Sequence, residues 1–230
     1  AEYVALILTI LLGAHLLLLS THMVILILGL ELISLSSYVL VGFGNDKRDA
    51  EGSFKYFVFG SVLTATTIYG MSVLYGITGT LDFADPEFMR APKAQSILFA
   101  VGGLLTMSAF LFKVVAVPVH LWAPDVYESS PMPVVALFSV VPKLAGLGVL
   151  IKLTLAINLL GRSNFDWQLF VVVISTVSIA VGNLSALSQT NPKRLMAYSS
   201  IAQTGFLLLG LAAYTLAGIK LLLFYAAVYT

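Results

Sequence analysis

The 230-residue sequence contains no cysteine and only three histidines, and few of its residues are charged. The absence of cysteine excludes disulfide bonds, thiolate-bound zinc and cysteine-held iron–sulfur clusters from this chain. His15, His22 and His120 are too scattered along the chain to suggest a metal site. Charged residues make up 10% of the sequence, whereas soluble domains average about 25%. So little charge cannot cover a water-facing surface, which excludes an ordinary soluble domain and a disordered chain.

Neither sign of charge dominates, because 12 basic residues balance 11 acidic ones and leave a formal net charge of +1. A nucleic-acid-binding protein needs a strong basic excess, so nucleic acid is not an expected partner. No glycine-rich dinucleotide-binding loop lies between a strand and a helix, and we expect no redox site on this chain. The mean hydropathy of +0.99 indicates a chain that is embedded in a lipid bilayer.

Long apolar runs predict an all-α, polytopic transmembrane helix bundle. A helix needs about 20 mostly apolar residues to cross the hydrocarbon core, and these runs are too continuous for the alternating strands of a β-barrel. Short polar connections predict a single transmembrane domain over residues 1–230. Because the terminal runs look cut, we expect an internal fragment of a longer subunit. The eight expected spans lie at 3–20, 23–43, 54–79, 94–117, 133–160, 167–190, 195–214 and 216–230.

Lysine and arginine residues are divided unevenly between the two ends of the expected bundle. The loops at 44–53, 125–131 and 190–194 share one end and carry four basic residues, against three at the other end. The larger group consists of Lys47, Arg48, Lys193 and Arg194. The smaller group consists of Arg90, Lys93 and Arg162. The positive-inside rule therefore predicts that the first three loops face the cytoplasm.

Ionisable residues inside the expected spans are the strongest functional signal. A charge at the centre of a membrane helix costs about 2.5–3.5 kcal/mol on insertion scales, so such residues usually face the protein interior and mark ion paths. Glu31 lies near the middle of the second span and shares a helix face with Ser34 and Tyr38. The alternative for Glu31 is a protonated carboxyl group that only forms hydrogen bonds.

The helix that carries Lys113 is expected to break inside the membrane. Four apolar residues follow Lys113, and Pro118 then removes a backbone donor and clashes with the preceding turn. A broken helix beside a lysine and His120 is typical of ion sites in transporters with discontinuous helices. The alternative is that Lys113 snorkels to the membrane interface.

Lys143 lies deep in the fifth span, directly after Pro142. Ser139 and Gly146 share its helix face, which gives the lysine a small and polar surrounding. We expect a functional role for a lysine so far from either interface. Lys152, nine residues later, points roughly 180° away and is expected to snorkel or to pair elsewhere.

One face of the sixth span is lined by small and polar residues. Such a stripe lets membrane helices pack closely, but it could equally line a water path, and the sequence leaves both interpretations open. The residues are Ser175, Ser178, Gly182, Ser185 and Gln189.

Three motifs resemble the antiporter-like subunits of respiratory complex I, a proton-pumping NADH:quinone oxidoreductase, in the version found in subunit N. The longest motif runs from Phe112 to Glu128 and ends in Pro-Asp-Val-Tyr-Glu, where related cation/proton antiporters tend to have Pro-Asp-Ala-His. The other two motifs lie at 29–35 and 188–201. The resemblance extends over essentially the whole chain.

This resemblance implies a proton-translocating membrane subunit with about 14 helices when intact. NADH, FMN, iron–sulfur clusters and quinone would be bound by partner subunits, and homologous antiporter-like subunits would be its neighbours in a bacterial inner membrane. The implied proton relay is Glu31, Lys113 and Lys143, with Lys55, His120 and Tyr198 as auxiliary positions. Gln203 stands where many relatives carry histidine, and glutamine cannot titrate near neutral pH.

Two other functions stay open at this stage. The chain could belong to a multi-subunit cation/proton antiporter or a membrane-bound hydrogenase, although the sequence from Pro124 to Tyr127 argues against both. It could also be a passive scaffold, in which the buried charges form static pairs. Removing one partner of such a pair would impair assembly rather than pumping.

Overall fold

The computed structural model describes residues 1–44, 46–89, 96–159 and 165–229. Within these ranges the chain forms ten helices and no strand, which confirms the all-α bundle. The loop cations Arg90, Lys93 and Arg162 lie outside the described residues. The helices are α1 (Glu2–Leu19), α2 (Met23–Val41), α3 (Lys47–Thr78), α4 (Pro86–Met89), α5 (Ser96–Lys113), α6 (Trp122–Ser129), α7 (Met132–Leu159), α8 (Trp167–Leu187), α9 (Pro192–Ala212) and α10 (Leu216–Tyr229).

Six of the described helices are long and apolar enough to cross a membrane: α1, α2, α3, α7, α8 and α9. Residues Ile97–Lys113 of α5 and Leu216–Tyr229 of α10 form shorter apolar helical segments, which lie in the fourth and eighth expected spans. The two remaining helices, α4 and α6, lie in segments expected to be connections. The eight longer helices therefore follow the expected order, with differences at their ends.

Helix α3 begins seven residues before the expected start at residue 54, at Lys47. Asp46 precedes its first turn and Asp49 lies within that turn, where a negative charge stabilises the helix dipole. One turn later, Glu51 forms an i,i+4 ion pair with Lys55 at 2.8 Å. The apolar pattern predicted only the part of α3 suited to lipid, from residue 54 onwards. The charged residues before it extend the helix to Lys47.

The small residues of α8 pack against α9. A Cβ atom on Gly182 would lie 2.5 Å from the backbone nitrogen of Ala202, so only glycine fits this crossing. About two turns away, the Ser175 hydroxyl donates a 2.6 Å hydrogen bond to the carbonyl oxygen of Gly205. These contacts favour close packing over a water path at this part of the stripe.

Candidate functional site

Helix α5 ends at Lys113, four residues earlier than the expected span. The amide of Ala116 donates to the carbonyl of Leu111 at 2.9 Å, and that of Val115 donates to Phe112 at 3.1 Å. This is the paired hydrogen-bond pattern that closes a helix through a left-handed residue. The left-handed residue is Val115, whose φ angle is 64°. A β-branched side chain such as valine rarely adopts this conformation. Lys113 is therefore the last helical residue before the break.

Side chains from three other helices pair the backbone groups that the break leaves free. The hydroxyl of Ser178 in α8 accepts from the Val117 amide at 3.0 Å. The hydroxyl of Thr204 in α9 donates to the Val114 carbonyl. The indole of Trp122 in α6 donates to the Phe112 carbonyl at 3.3 Å. Non-helical backbone at membrane depth is tolerated only when such partners are present.

The Lys113 side chain is only 2% exposed and lies between α2, α3 and α5. Its ammonium donates to the hydroxyl of Tyr56 in α3 at 3.2 Å. Gly146 of α7 packs on the other side, since a Cβ there would lie 3.4 Å from the Lys113 Cβ. The expectation of a buried lysine at the helix break is thus met, and the snorkelling alternative is not.

Glu31 is half-buried on α2, the helix whose Tyr38 ring lies 5.7 Å from the Lys113 ammonium. The charges of Glu31 and Lys113 interact electrostatically. Tyr38, two turns further along α2, forms a hydrogen bond with Ser34 and also lies within the field of Glu31. Glu31 therefore acts on Lys113 through its charge, and the ion pairs among the described residues do not include this pair.

Lys143 is also 2% exposed, and its partners come from α9 and α10. The ammonium donates to the carbonyl oxygen of Ser200 at 2.9 Å and to its hydroxyl at 3.0 Å. The ring of Tyr229 lies 4.6 Å from the same ammonium. A cavity of about 250 Å³ adjoins this group, enough for several water molecules. Its lining includes Tyr127, Ser139, Lys193, Ser200 and Tyr229.

The three auxiliary positions lie in different surroundings. Lys55 is 41% exposed and forms ion pairs with Glu51 and, at 3.1 Å, with Asp125. His120 is buried in the turns between α5 and α6. Tyr198 is half-buried and packs against the apolar core. Lys55 thus belongs to a charged cluster at one end of the bundle, apart from the two buried lysines.

That cluster joins α3, α6 and α9. Arg194 binds Asp125 at 2.8 Å and Glu128 at 2.9 Å. Lys193 donates to the Ser130 carbonyl at 2.7 Å, which ties the end of α6 to the start of α9. The loops at 44–53, 125–131 and 190–194 therefore meet at one end of the bundle, as expected from the order of the spans.

Several residues that shape the site carried no clear signal in the sequence. Tyr56 and Ser200 are the hydrogen-bond partners of the two buried lysines, yet each lies 57 positions from its lysine. A tyrosine in an apolar run is ordinary, and the pairing becomes visible only when the helices are packed. Gln203 accepts a hydrogen bond from the Tyr225 hydroxyl, a contact that the sequence pattern also did not reveal.

A broken membrane helix with one buried lysine at the break and a second on the adjacent helix defines an antiporter-like membrane subunit. The sequence profile of the family described as NADH:quinone oxidoreductase/Mrp antiporter, transmembrane, matches residues 20–230. The chain belongs to this family, which confirms the resemblance read from the three motifs.

Individual relatives agree with this assignment. The chain is 41% identical over 230 residues to NADH-quinone oxidoreductase subunit N of Erythrobacter litoralis, covering 99% of this chain and 46% of that protein. A chain of respiratory complex I from Thermus thermophilus superimposes with a TM-score of 0.82 at 32% identity, over 99% of this chain and 49% of that one.

The fold also extends to antiporter complexes. A chain of the Mrp complex from a Dietzia species superimposes with a TM-score of 0.86 at 22% identity, over 96% of this chain and 41% of that one. Identity this low establishes a common fold only. The present chain spans about half the length of the curated relatives that it matches.

Proposed function

We propose that this chain is part of a proton-translocating membrane subunit, of the subunit N type, in an NADH:quinone oxidoreductase-type complex. The observation that carries the proposal is the pair of buried lysines, Lys113 and Lys143. Among the described residues neither forms an ion pair with a carboxylate, and both are held by neutral oxygens. A lysine held in this way can change its charge without leaving a buried carboxylate unpaired.

The proposed relay consists of Glu31, Lys113 and Lys143. Approach of the Glu31 carboxylate favours the protonated form of Lys113, and separation favours release of the proton. Gly146 allows α7 to approach Lys113 closely, and Lys143 lies about one turn from Gly146 on the same helix. Lys55, His120 and Tyr198 are proposed as auxiliary groups of the proton path, with Lys55 at the end of the bundle that carries the charged cluster.

The proposal assigns the redox chemistry to partner subunits. NADH, FMN, iron–sulfur clusters and quinone would be bound there, while this chain acts as a subunit of the translocase in a bacterial inner membrane. Homologous antiporter-like subunits are the proposed neighbours, and residues 1–230 are proposed to form one membrane domain of a longer subunit. The names of the curated relatives support this assignment.

Replacing Lys143 by Met tests the relay, because Met keeps much of the side-chain volume but cannot carry a proton. We expect Lys143→Met and Lys113→Met to reduce proton uptake by membrane vesicles and coupled NADH oxidation several-fold, at matched subunit content. Lys220→Met is the control, since Lys220 lies exposed on α10. Unchanged pumping in both variants, or loss of assembly as the sole defect, would favour the passive scaffold.

The fold shared with the Mrp complex keeps a cation/proton antiporter as the second candidate. The two functions differ in what drives transport. Purification of the intact assembly with its neighbours distinguishes them: co-purification with subunits that oxidise NADH supports the proposal. An assembly that lacks redox subunits and exchanges Na⁺ for protons would support the antiporter.

A further inference from the structure

The ammonium of Lys113 lies among three aromatic rings, which we call the aromatic box. Its distance to the ring centroid is 5.1 Å for Tyr56, 5.7 Å for Tyr38 and 5.7 Å for Phe112. Ring faces attract a cation through their quadrupole, and the attraction strengthens when water is excluded, as it is around this buried side chain. The aromatic box therefore offers the charged lysine a favourable place that contains no carboxylate.

Tyr56 is the central ring of the aromatic box and is fixed on several sides. It stacks on Trp122 with centroids 4.3 Å apart and on Phe112 at 5.6 Å. Tyr38 meets it edge-on at 4.8 Å. The side chain is 1% exposed. Its ring position therefore depends on the short helix α6, which carries Trp122, as well as on α2 and α5.

We propose that Tyr56 is a positioning residue, an inference that rests on the proposed function. It holds the protonated Lys113 side chain while that lysine is not paired with Glu31. The ring face attracts the ammonium, and the hydroxyl oxygen accepts a hydrogen bond from it at 3.2 Å. Lys113 then has two alternating partners, a carboxylate that favours protonation strongly and a neutral aromatic residue that favours it weakly. Movement between partners of unequal strength is what a proton-loading cycle requires.

In the part of the chain that the structure describes, the ionisable groups that act on Lys113 or on the aromatic box are one carboxyl group and three phenols. Glu31 is the acidic group whose charge acts on Lys113. The phenols of Tyr38 and Tyr56 belong to the aromatic box, and the phenol of Tyr127 acts on Tyr56. Among the described residues, Tyr56 is the one whose hydroxyl accepts a hydrogen bond from the Lys113 ammonium.

Two substitutions at Tyr56 separate the hydroxyl from the ring. Tyr56→Phe keeps the stacking on Trp122 and removes only the oxygen, whereas Tyr56→Leu removes both. Because each loss disfavours the charged lysine, the alkaline fall in the rate of proton uptake should move to lower pH. We expect a shift of roughly one to two pH units for Tyr56→Phe, and a larger shift for Tyr56→Leu. Tyr69→Phe, at an exposed position on the same helix, should leave the profile unchanged.

The measurement uses membrane vesicles that contain the full-length subunit in its assembled complex, with Lys113→Met in parallel. A graded shift in the order Tyr69→Phe, Tyr56→Phe, Tyr56→Leu supports the inference, and if Tyr56→Leu does not assemble, the shift in Tyr56→Phe alone supports it. A wild-type pH profile in Tyr56→Phe, together with loss of pumping in Lys113→Met, overturns the role of Tyr56 and leaves the proposed function standing. Normal pumping in Lys113→Met overturns the proposed function itself.

Discussion

Lys152 donates three hydrogen bonds to the end of helix α1. Its ammonium lies 2.8 Å from the carbonyl oxygen of Leu17, 2.6 Å from that of Leu18 and 2.8 Å from that of Ser20. The last carbonyls of a helix have no partner within it, and a cation there also complements the helix dipole. Lys152 thus joins α7 to α1, on the side of α7 away from Lys143.

Replacing Lys152 by Met should therefore destabilise the fold rather than block proton transfer directly. Loss of hydrogen bonds from a charged donor should lower the free energy of unfolding by roughly 1–3 kcal/mol. Denaturant titration in detergent micelles measures this change. Lys152→Arg should recover much of the stability, and Lys220→Met should lie close to wild type. Equal stability of Lys152→Met and wild type would show that the three contacts contribute little.

At the scale of helices, the crossing of α8 and α9 depends on glycine. A Cβ at position 182 would meet the backbone of Ala202, which cannot yield as a flexible side chain can. We expect Gly182→Ala to force the two helices apart and to cost about 1–3 kcal/mol of unfolding free energy, as overpacking does elsewhere. Thermal unfolding in detergent provides the measurement.

Gly76 is the matched control for this substitution. It lies in α3, and a Cβ there would have no atom within 4 Å. Alanine has the higher helix propensity, so Gly76→Ala should leave the stability unchanged or raise it by up to about 1 kcal/mol. Equal effects of the two substitutions would mean that backbone flexibility, and not the α8–α9 crossing, determines the result at Gly182.

At the scale of the whole molecule, the charged cluster identifies one end of the bundle, and the weak excess of basic residues predicts that this end is cytoplasmic. The absence of cysteine makes the orientation directly measurable. Cysteine at Asp46, an exposed residue beside this end, should resist membrane-impermeant thiol reagents in intact cells. Cysteine at Glu87, exposed in α4, should react from outside. The reverse labelling pattern would invert the topology.

The sequence predicted the helices and the buried charges better than it predicted contacts. Lys113 and Lys143 stand out because a lysine inside an apolar run is costly in lipid, whatever surrounds it. A break in this segment was predicted from Pro118, but α5 ends five residues before the proline, at Lys113. The partners Tyr56 and Ser200 depend on how separate helices pack, and nothing local to either residue records that packing.

Helix ends show the same difference between local and long-range causes. The early start of α3 at Lys47 arises from acidic residues that the apolar criterion ignored. The end of α5 at Lys113 arises from a left-handed Val115, which propensity alone would not place there. Side chains from α8 and α9 pair the freed backbone groups and make this conformation tolerable.

Because α5 stops at Lys113, the backbone beneath that side chain is fixed while its four-carbon stem can still rotate. Rotations of exposed side chains take picoseconds to nanoseconds, whereas shifts of packed helices take microseconds to milliseconds. In the proposed relay, the ammonium of the buried Lys113 moves from Tyr56 towards Glu31 by rotation of this stem, on a timescale between these two. The movement is then complete within a typical enzyme turnover of about 1 ms to 1 s. In the proposed relay, the movement of Lys113 would then not limit the rate of the cycle.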